Sequence, residues 1–216
     1  MSIAQTKKTA VLIVNLGSPA SPNTGDVRQF LREFLGDPRV VNIPRPIWWM
    51  ILNLFILPFR PKKSAHAYQT IWTEQGSPLV VFTRDLTAKL ADAIAGEDLI
   101  VDYAMRYGKP SLATKLRDFE QQGVDEIVVL PLYPQYSSTT TASIFDVVAD
   151  AIKNWWHVPG LRLISDFYRH PAYIQALADS IRHYWQAHGQ SQLLVMSFHG
   201  VPAMLTKKGD PYYYHC

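Results

Sequence analysis

Short apolar, β-branched runs alternate along this chain with longer stretches in which apolar residues recur every three or four positions. The short runs Ala10–Leu16, Leu99–Ala104, Glu126–Leu132, Leu161–Ser165 and Gln192–Phe198 predict strands. The longer stretches Asp26–Leu35, Leu79–Ala95, Ser111–Gln122, Thr140–Trp155 and Pro171–Ala187 predict helices. That alternation predicts an α/β fold, a mainly parallel sheet with flanking helices. In the second helix Leu79, Phe82, Leu86, Leu90 and Ile94 make one apolar face. Gly123 stands just past the third, where a left-handed cap stops a helix. Val158-Pro159-Gly160 combines two breakers ahead of a new strand-helix-strand series. It is the expected boundary between a first unit, residues 1–159, and a second, residues 160–216, that is only begun.

One segment departs from the alternation. Ile47 to Leu57 is almost wholly apolar, carries Trp48 and Trp49, and is flanked by Arg45, Arg60, Lys62 and Lys63. Eleven residues reach only about 16 Å as a helix, roughly half the hydrocarbon thickness of a bilayer, so this is not a span. It reads either as an ordinary buried helix or as an exposed apolar lip, at about residues 43–63, that holds a flat greasy ligand or rests on a membrane surface.

Composition narrows the function classes. With 216 residues, 48% of them hydrophobic and 18% charged, the chain buries a substantial core. The 21 basic and 18 acidic residues leave a net charge of +3, too mild to argue for nucleic acid as a partner. The lone cysteine, Cys216, permits no internal disulfide, and the polar stretch Met1–Lys8 lacks the apolar core of a secretory signal. A cytoplasmic protein, in membrane contact through the lip, is the expectation.

Candidate chemistry gathers just beyond the strands, where open α/β sheets bind ligands. Asn15-Leu16-Gly17-Ser18-Pro19, Met105-Arg106-Tyr107-Gly108, Tyr133-Pro134-Gln135-Tyr136-Ser137-Ser138 and His199-Gly200 all fall there. They bring aromatic faces, a fixed cation and an imidazole toward one edge, a set suited to a large flat aromatic ligand bearing carboxylates. Arg106 pairs with a ligand carboxylate in this reading, while Tyr107, Tyr133 and Tyr136 supply apolar faces with polar tips. In the competing reading Arg106 forms a structural ion pair, the tyrosines are half-buried core, and His199 only bonds at a strand-to-loop corner. A nucleotide fingerprint is missing, as are an HExxH zinc pair and a glycine-flanked serine elbow. A closed zinc site is therefore not expected among the seven histidines and the one cysteine.

Five motifs together resemble the ferrochelatases. They are Val14-Asn15-Leu16-Gly17-Ser18-Pro19, Gly76-Ser77-Pro78-Leu79, Met105-Arg106-Tyr107-Gly108, Leu130-Pro131-Leu132-Tyr133-Pro134-Gln135-Tyr136-Ser137-Ser138-Thr139-Thr140 and Ser197-Phe198-His199-Gly200-Val201-Pro202. The resemblance implies two similar Rossmann-like lobes around a porphyrin cleft, the second incomplete here, and insertion of ferrous iron into protoporphyrin IX to form protohaem. It implies that His199 binds the metal or accepts the pyrrole protons, two roles that stay open. Insertion releases two N–H protons, and an imidazole with an ordinary pKa near ~6.5 suits either task around neutrality. Arg60, Tyr68 and Ser77 resemble porphyrin-lining positions, and Arg106 with Tyr107 resembles a cleft arginine and tyrosine. Ser138 stands where animal members carry an iron–sulfur cysteine, so no cluster, and no cofactor beyond the substrate iron, is expected. The family's later catalytic glutamate does not occur in this sequence, and a truncated ferrochelatase with impaired turnover is the expectation. Rivals are a porphyrin-, haem- or membrane-binding fragment without turnover, and a related chelatase that inserts cobalt into a corrin precursor.

Overall fold

In the computed structural model, residues 7–96 and 98–216 are described; most of the polar Met1–Lys8 stretch lies outside them. Four parallel strands form one sheet: β1 (Thr9–Ser18), β2 (Leu99–Gly108), β3 (Glu126–Pro131) and β4 (Gly160–Leu163), in the order β2-β1-β3-β4. The helices are α1 (Thr24–Gly36), α2 (Arg45–Ile51), α3 (Leu57–Ile71), α4 (Pro78–Ala93), α5 (Leu112–Gln121), α6 (Thr141–Ile152), α7 (Pro171–His188), α8 (Ala203–Lys207) and α9 (Tyr212–His215). The alternation of strand and helix read from the sequence is therefore the architecture, an α/β fold of parallel strands with helices packed against them.

Strand periodicity decides which side chains meet which helices. Ala10, Leu12 and Val14 of β1 join Ala104, Ile127 and Val129 on one face, where Leu112, Leu116 and Phe119 of α5 and Ile144 and Val148 of α6 close the core. Each of these residues is nearly or wholly buried, and full burial of such a side chain contributes on the order of 1.5–3 kcal/mol. Local signals place the helix ends. Asn23 accepts the Asp26 amide at the start of α1, Ser111 accepts the Thr114 amide at the start of α5, and Gly123 takes a φ of 65° just beyond α5.

Four expectations need correction. The first is the fifth strand: Gln192–Phe198 forms no strand, and Leu193 to Met196 are all exposed. Among the described residues no strand lies beside this segment, so its backbone has no ladder to join, whatever its β propensity. The second is the boundary at residue 159. Gly160 pairs with Glu126, so the Val158-Pro159-Gly160 turn connects α6 to β4 inside one sheet.

The third concerns α4, whose predicted apolar face turns outward. Phe82 is 71% exposed and Leu86 46%, while the buried positions are Thr83 and Thr87. The threonines fit there because their hydroxyls are satisfied within the helix, Thr83 donating to the Leu79 carbonyl and Thr87 to that of Thr83. Asn15 of β1 then donates its amide to the Thr83 hydroxyl at 2.9 Å, joining helix to strand.

The fourth concerns the lip, which is neither wholly buried nor wholly exposed and is longer than the apolar run. Helices α2 and α3 are continuous through a π-helical turn, Leu52–Ile56. Pro58 has no amide proton and its ring would strike the carbonyl of residue 54; the widened turn lets the helix pass this point. The Asn53 side chain donates to the Trp49 carbonyl at 2.8 Å. One face, with Trp48, Leu52, Leu57 and Ala65, packs on Val27, Leu31 and Leu35 of α1. The other leaves Ile47, Trp49, Met50, Leu54, Phe55 and Phe59 exposed. Trp48, read with Trp49 as lip, is thus a core residue whose indole donates to the Leu35 carbonyl at 2.7 Å.

Candidate functional site

The carboxyl ends of β1, β2 and β3 come together through close backbone contact, and two glycines make this possible. Gly17 has a φ of 105°, and a Cβ there would lie 1.8 Å from the Tyr107 carbonyl oxygen. Gly108 has a φ of 83°, and a Cβ would lie 2.5 Å from the Ser18 carbonyl oxygen. The loops that follow these strands enclose a mostly apolar cavity of about 370 Å³. Leu16, Phe34, Val40 and Tyr133 line one side, Ser137, Thr139 and Thr140 the loop between β3 and α6, and His199, Pro202 and Tyr212 the other.

His199 enters this cavity from a segment without regular structure. Its backbone amide donates to the Tyr212 hydroxyl at 3.2 Å, and its exposed imidazole makes no hydrogen bond among the described residues. Tyr133 also lines the cavity, but its hydroxyl is sealed from solvent and has no partner among the described residues, and burial pushes that hydroxyl's pKa upward. The cavity is thus lined by an unclaimed imidazole and by an aromatic ring whose polar tip is buried in the wall.

Behind the cavity lies a buried polar hub on Asp37, at the C-terminal end of α1. Its Oδ2 accepts from the Arg106 guanidinium, from the Tyr107 hydroxyl at 2.8 Å and from the Ser143 hydroxyl at 2.6 Å. Its Oδ1 accepts the Arg39 amide at 2.7 Å. Burial disfavours the carboxylate, but the donors from Ser143, Tyr107 and Arg39, with the Arg106 charge, together hold its pKa below the ordinary value. Arg106 also donates through Nε to the Ser143 hydroxyl at 2.6 Å. Its carboxylate partner is thus supplied by the protein, as the ion-pair reading of this residue required.

A second clamp holds the loop between β3 and α6. Asp210 Oδ2 accepts from the Ser138 amide and hydroxyl, each at 2.7 Å, and from the Ser137 hydroxyl at 3.0 Å. The Tyr136 amide donates to His215 Nδ1 at 3.2 Å, and the His215 ring stacks on Tyr168 with centroids 4.0 Å apart. These contacts fix residues 210–216 against the loop that lines the cavity.

Comparison with known proteins bears on what this cavity is. A model of the ferrochelatase family matches residues 8–216. The chain is 54% identical over 209 residues to the ferrochelatase of Methylococcus capsulatus, covering 97% of this chain and 63% of that protein. It is 51% identical to that of Alcanivorax borkumensis, covering 97% and 62%, and 46% identical to that of Pseudoalteromonas atlantica, covering 98% and 60%. The chain belongs to the ferrochelatase family. It spans about three fifths of the length of these ferrochelatases.

Of the residues expected to bind the metal or the porphyrin, Arg60, Tyr68, Ser77, Arg106, Tyr107, Tyr136 and His199, only His199 is among those lining the cavity. Tyr107 is 2% exposed and Arg106 is turned to Asp37, so both support the cavity wall from behind. Tyr68 is half-buried and meets Phe30 edge-on at 6.3 Å; Phe30 in turn meets Tyr107, and Tyr107 meets Phe34, which lines the cavity. Ser77 is buried at the start of α4, and Arg60 is exposed on α3. Tyr136 lies on the far side of the β3–α6 loop, in a polar pocket with Arg39, Lys208 and Asp210. Sequence reasoning missed Asp37, Ser143 and Asp210, whose side-chain partners on other elements lie 36 to 106 residues away. Leu16 and Tyr133 sat inside motifs that had been noticed, whereas Phe34 and Val40 carried no signal beyond helix periodicity and apolarity.

Proposed function

We propose that these residues form one wall of a porphyrin cleft in an enzyme that inserts ferrous iron into protoporphyrin IX to give protohaem, with His199 as the group at the metal. The observation that carries this reading is the unclaimed His199 imidazole facing an apolar, aromatic cavity in a chain of this family. An apolar cavity favours a flat macrocycle, and a free imidazole supplies either a metal ligand or a proton acceptor as pyrrole protons leave. Arg60, exposed on α3, is read as a contact for the porphyrin's acidic edge, and Tyr68 and Ser77, further along the chain, as porphyrin-lining positions. Tyr136, Arg106 and Tyr107 are read as holding the wall in place. Iron is the substrate here, and the reading includes no iron–sulfur cluster.

The exposed lip residues Trp49, Leu54, Phe55 and Phe59, with nearby Arg60, Lys62 and Lys63, support peripheral membrane contact of a cytoplasmic protein. Among the described residues no helix is long and apolar enough to cross a membrane.

The test is absorbance of protoporphyrin IX during addition of ferrous iron or zinc, with a parallel assay in which cobalt is offered together with a corrin precursor. His199→Ala is expected to lower insertion by at least about 100-fold while porphyrin binding is retained. Turnover close to the parent's would remove His199 from the chemistry. Porphyrin binding by the parent without any insertion would favour the reading in which these residues hold the macrocycle only.

A further inference from the structure

His199 reaches the cavity from residues 191–202, which form neither helix nor strand. Nothing in the sheet fixes its distance from the opposite wall. Its backbone has one polar tether among the described residues, the bond from its amide to the Tyr212 hydroxyl. Tyr212 in turn is held by its own amide, which donates to Asp210 Oδ1 at 2.9 Å. The other oxygen of the same carboxylate gathers Ser137 and Ser138 of the cavity loop. Asp210 is 7% exposed, every one of these donors is neutral, and among the described residues no cation forms an ion pair with its carboxylate. A buried charge of this kind is costly unless its hydrogen bonds are fulfilled together, which makes the arrangement rigid.

We infer that Asp210 is a positioning residue for His199: one oxygen sets the β3–α6 wall of the cavity, the other sets Tyr212, and the Tyr212 hydroxyl sets the histidine backbone. The inference rests on the proposed role of the cavity only for its effect on turnover; the tether itself is independent of that role. A carboxylate accepts three donors on one oxygen in a geometry that an amide cannot copy, because the nitrogen of asparagine would face donors. The short aspartate side chain also fixes the separation between the two walls it joins.

The experiment uses the chain with isotope-labelled histidine, in which His199→Ala assigns the His199 ring signal. Tyr212→Phe, which removes one hydroxyl, is expected to shift that signal. Asp210→Asn is expected to produce a change in the same direction, and the double variant no larger change than Asp210→Asn alone. Should Asp210→Asn fail to fold, the Ser137→Ala/Ser138→Ala chain is read in its place, with a shift of the same sign expected. Asp102→Asn, which loses an ion pair to Lys115 elsewhere on the sheet, is expected to leave the signal where it was.

Zinc insertion into protoporphyrin is followed in parallel. Tyr212→Phe and Asp210→Asn are expected to lower kcat on the order of tenfold with little change in KM for the porphyrin. If the parent chain does not metallate porphyrin, the functional reading loses its support while the histidine signal still decides the tether. An unmoved His199 signal in Tyr212→Phe, or effects of the two substitutions that simply add, would overturn the inference.

Discussion

Asp37 accepts its hydrogen bonds from four residues at one buried point, so its removal strands several donors at once. Asp37→Asn leaves Arg106 largely buried without its counter-charge, and is expected to cost about 3 kcal/mol at neutral pH, read from urea unfolding. The pH dependence follows from the direction of the shift. The carboxyl's folded pKa lies below its ordinary 3.8, so the stability it contributes is fully present above that value and is lost as pH falls through the folded pKa. Asp37→Asn should therefore flatten the acid limb of the stability curve, and parent and variant should converge at low pH. An unchanged acid limb would mean that the hub is not a source of stability. The sequence showed Arg106 and Tyr107 beside a glycine at a strand end, but the aspartate that claims them stands 69 and 70 residues away. A motif reveals that a side chain is special, not whether its partner is a ligand or the protein. The glycines were no more legible: Gly17 and Gly108 are required by the close approach of two backbones, which the motifs around them do not state. Gly17→Ala is expected to destabilise the fold by at least about 2 kcal/mol, measured the same way.

Elements were legible where local signals and tertiary packing agree. Helices α1, α5, α6 and α7 fall within a few residues of the stretches read from periodicity, because caps and apolar spacing point to the same limits. Helix α4 was found but turned the wrong way: its threonines satisfy their own hydroxyls inside the helix, so polar residues pack on the sheet at little cost. Side-chain polarity along the helix carries no sign of that. The lip was half legible for a related reason, since a run of consecutive apolar residues has no period to say which side is buried. Its two tryptophans now make a direct test. Trp48→Phe is expected to destabilise by about 1–3 kcal/mol through loss of the indole bond to Leu35 and of packing, while Trp49→Ala should be nearly neutral. In Trp49→Phe, the fluorescence response to anionic vesicles or to porphyrin should disappear, and in Trp48→Phe it should persist. Persistence of the vesicle response in Trp49→Phe would show that the exposed face of the lip is not what meets lipid.

At the scale of the molecule, one apolar region is left uncovered. Helix α7 has no buried residue, with Ile174, Leu177 and Tyr184 exposed, and beside it Leu193, Leu194, Val195 and Met196 are 50–76% exposed in a backbone without a ladder. A pocket lined by Ile181, Tyr184, Trp185, Leu193 and Leu194 shows that helix and segment already lie against each other. The sequence predicts a strand in this stretch because apolar residues cluster there, and that composition suits a strand that has a neighbour. Without one, unpaired amides and carbonyls flank an apolar surface, which is the condition for association between chains. The 216-residue chain is therefore expected to self-associate at micromolar concentration, seen as a concentration-dependent mass by size-exclusion chromatography with light scattering. Replacing Leu193 and Val195 together by serine should shift the chain toward monomer. The near-ultraviolet circular dichroism from buried Trp48 should not change, since Trp48 belongs to the α1 and lip core rather than to this region. A parent chain that is monodisperse and monomeric at those concentrations, binding no hydrophobic dye, would show that this apolar surface is covered in solution by contacts the fold here does not display.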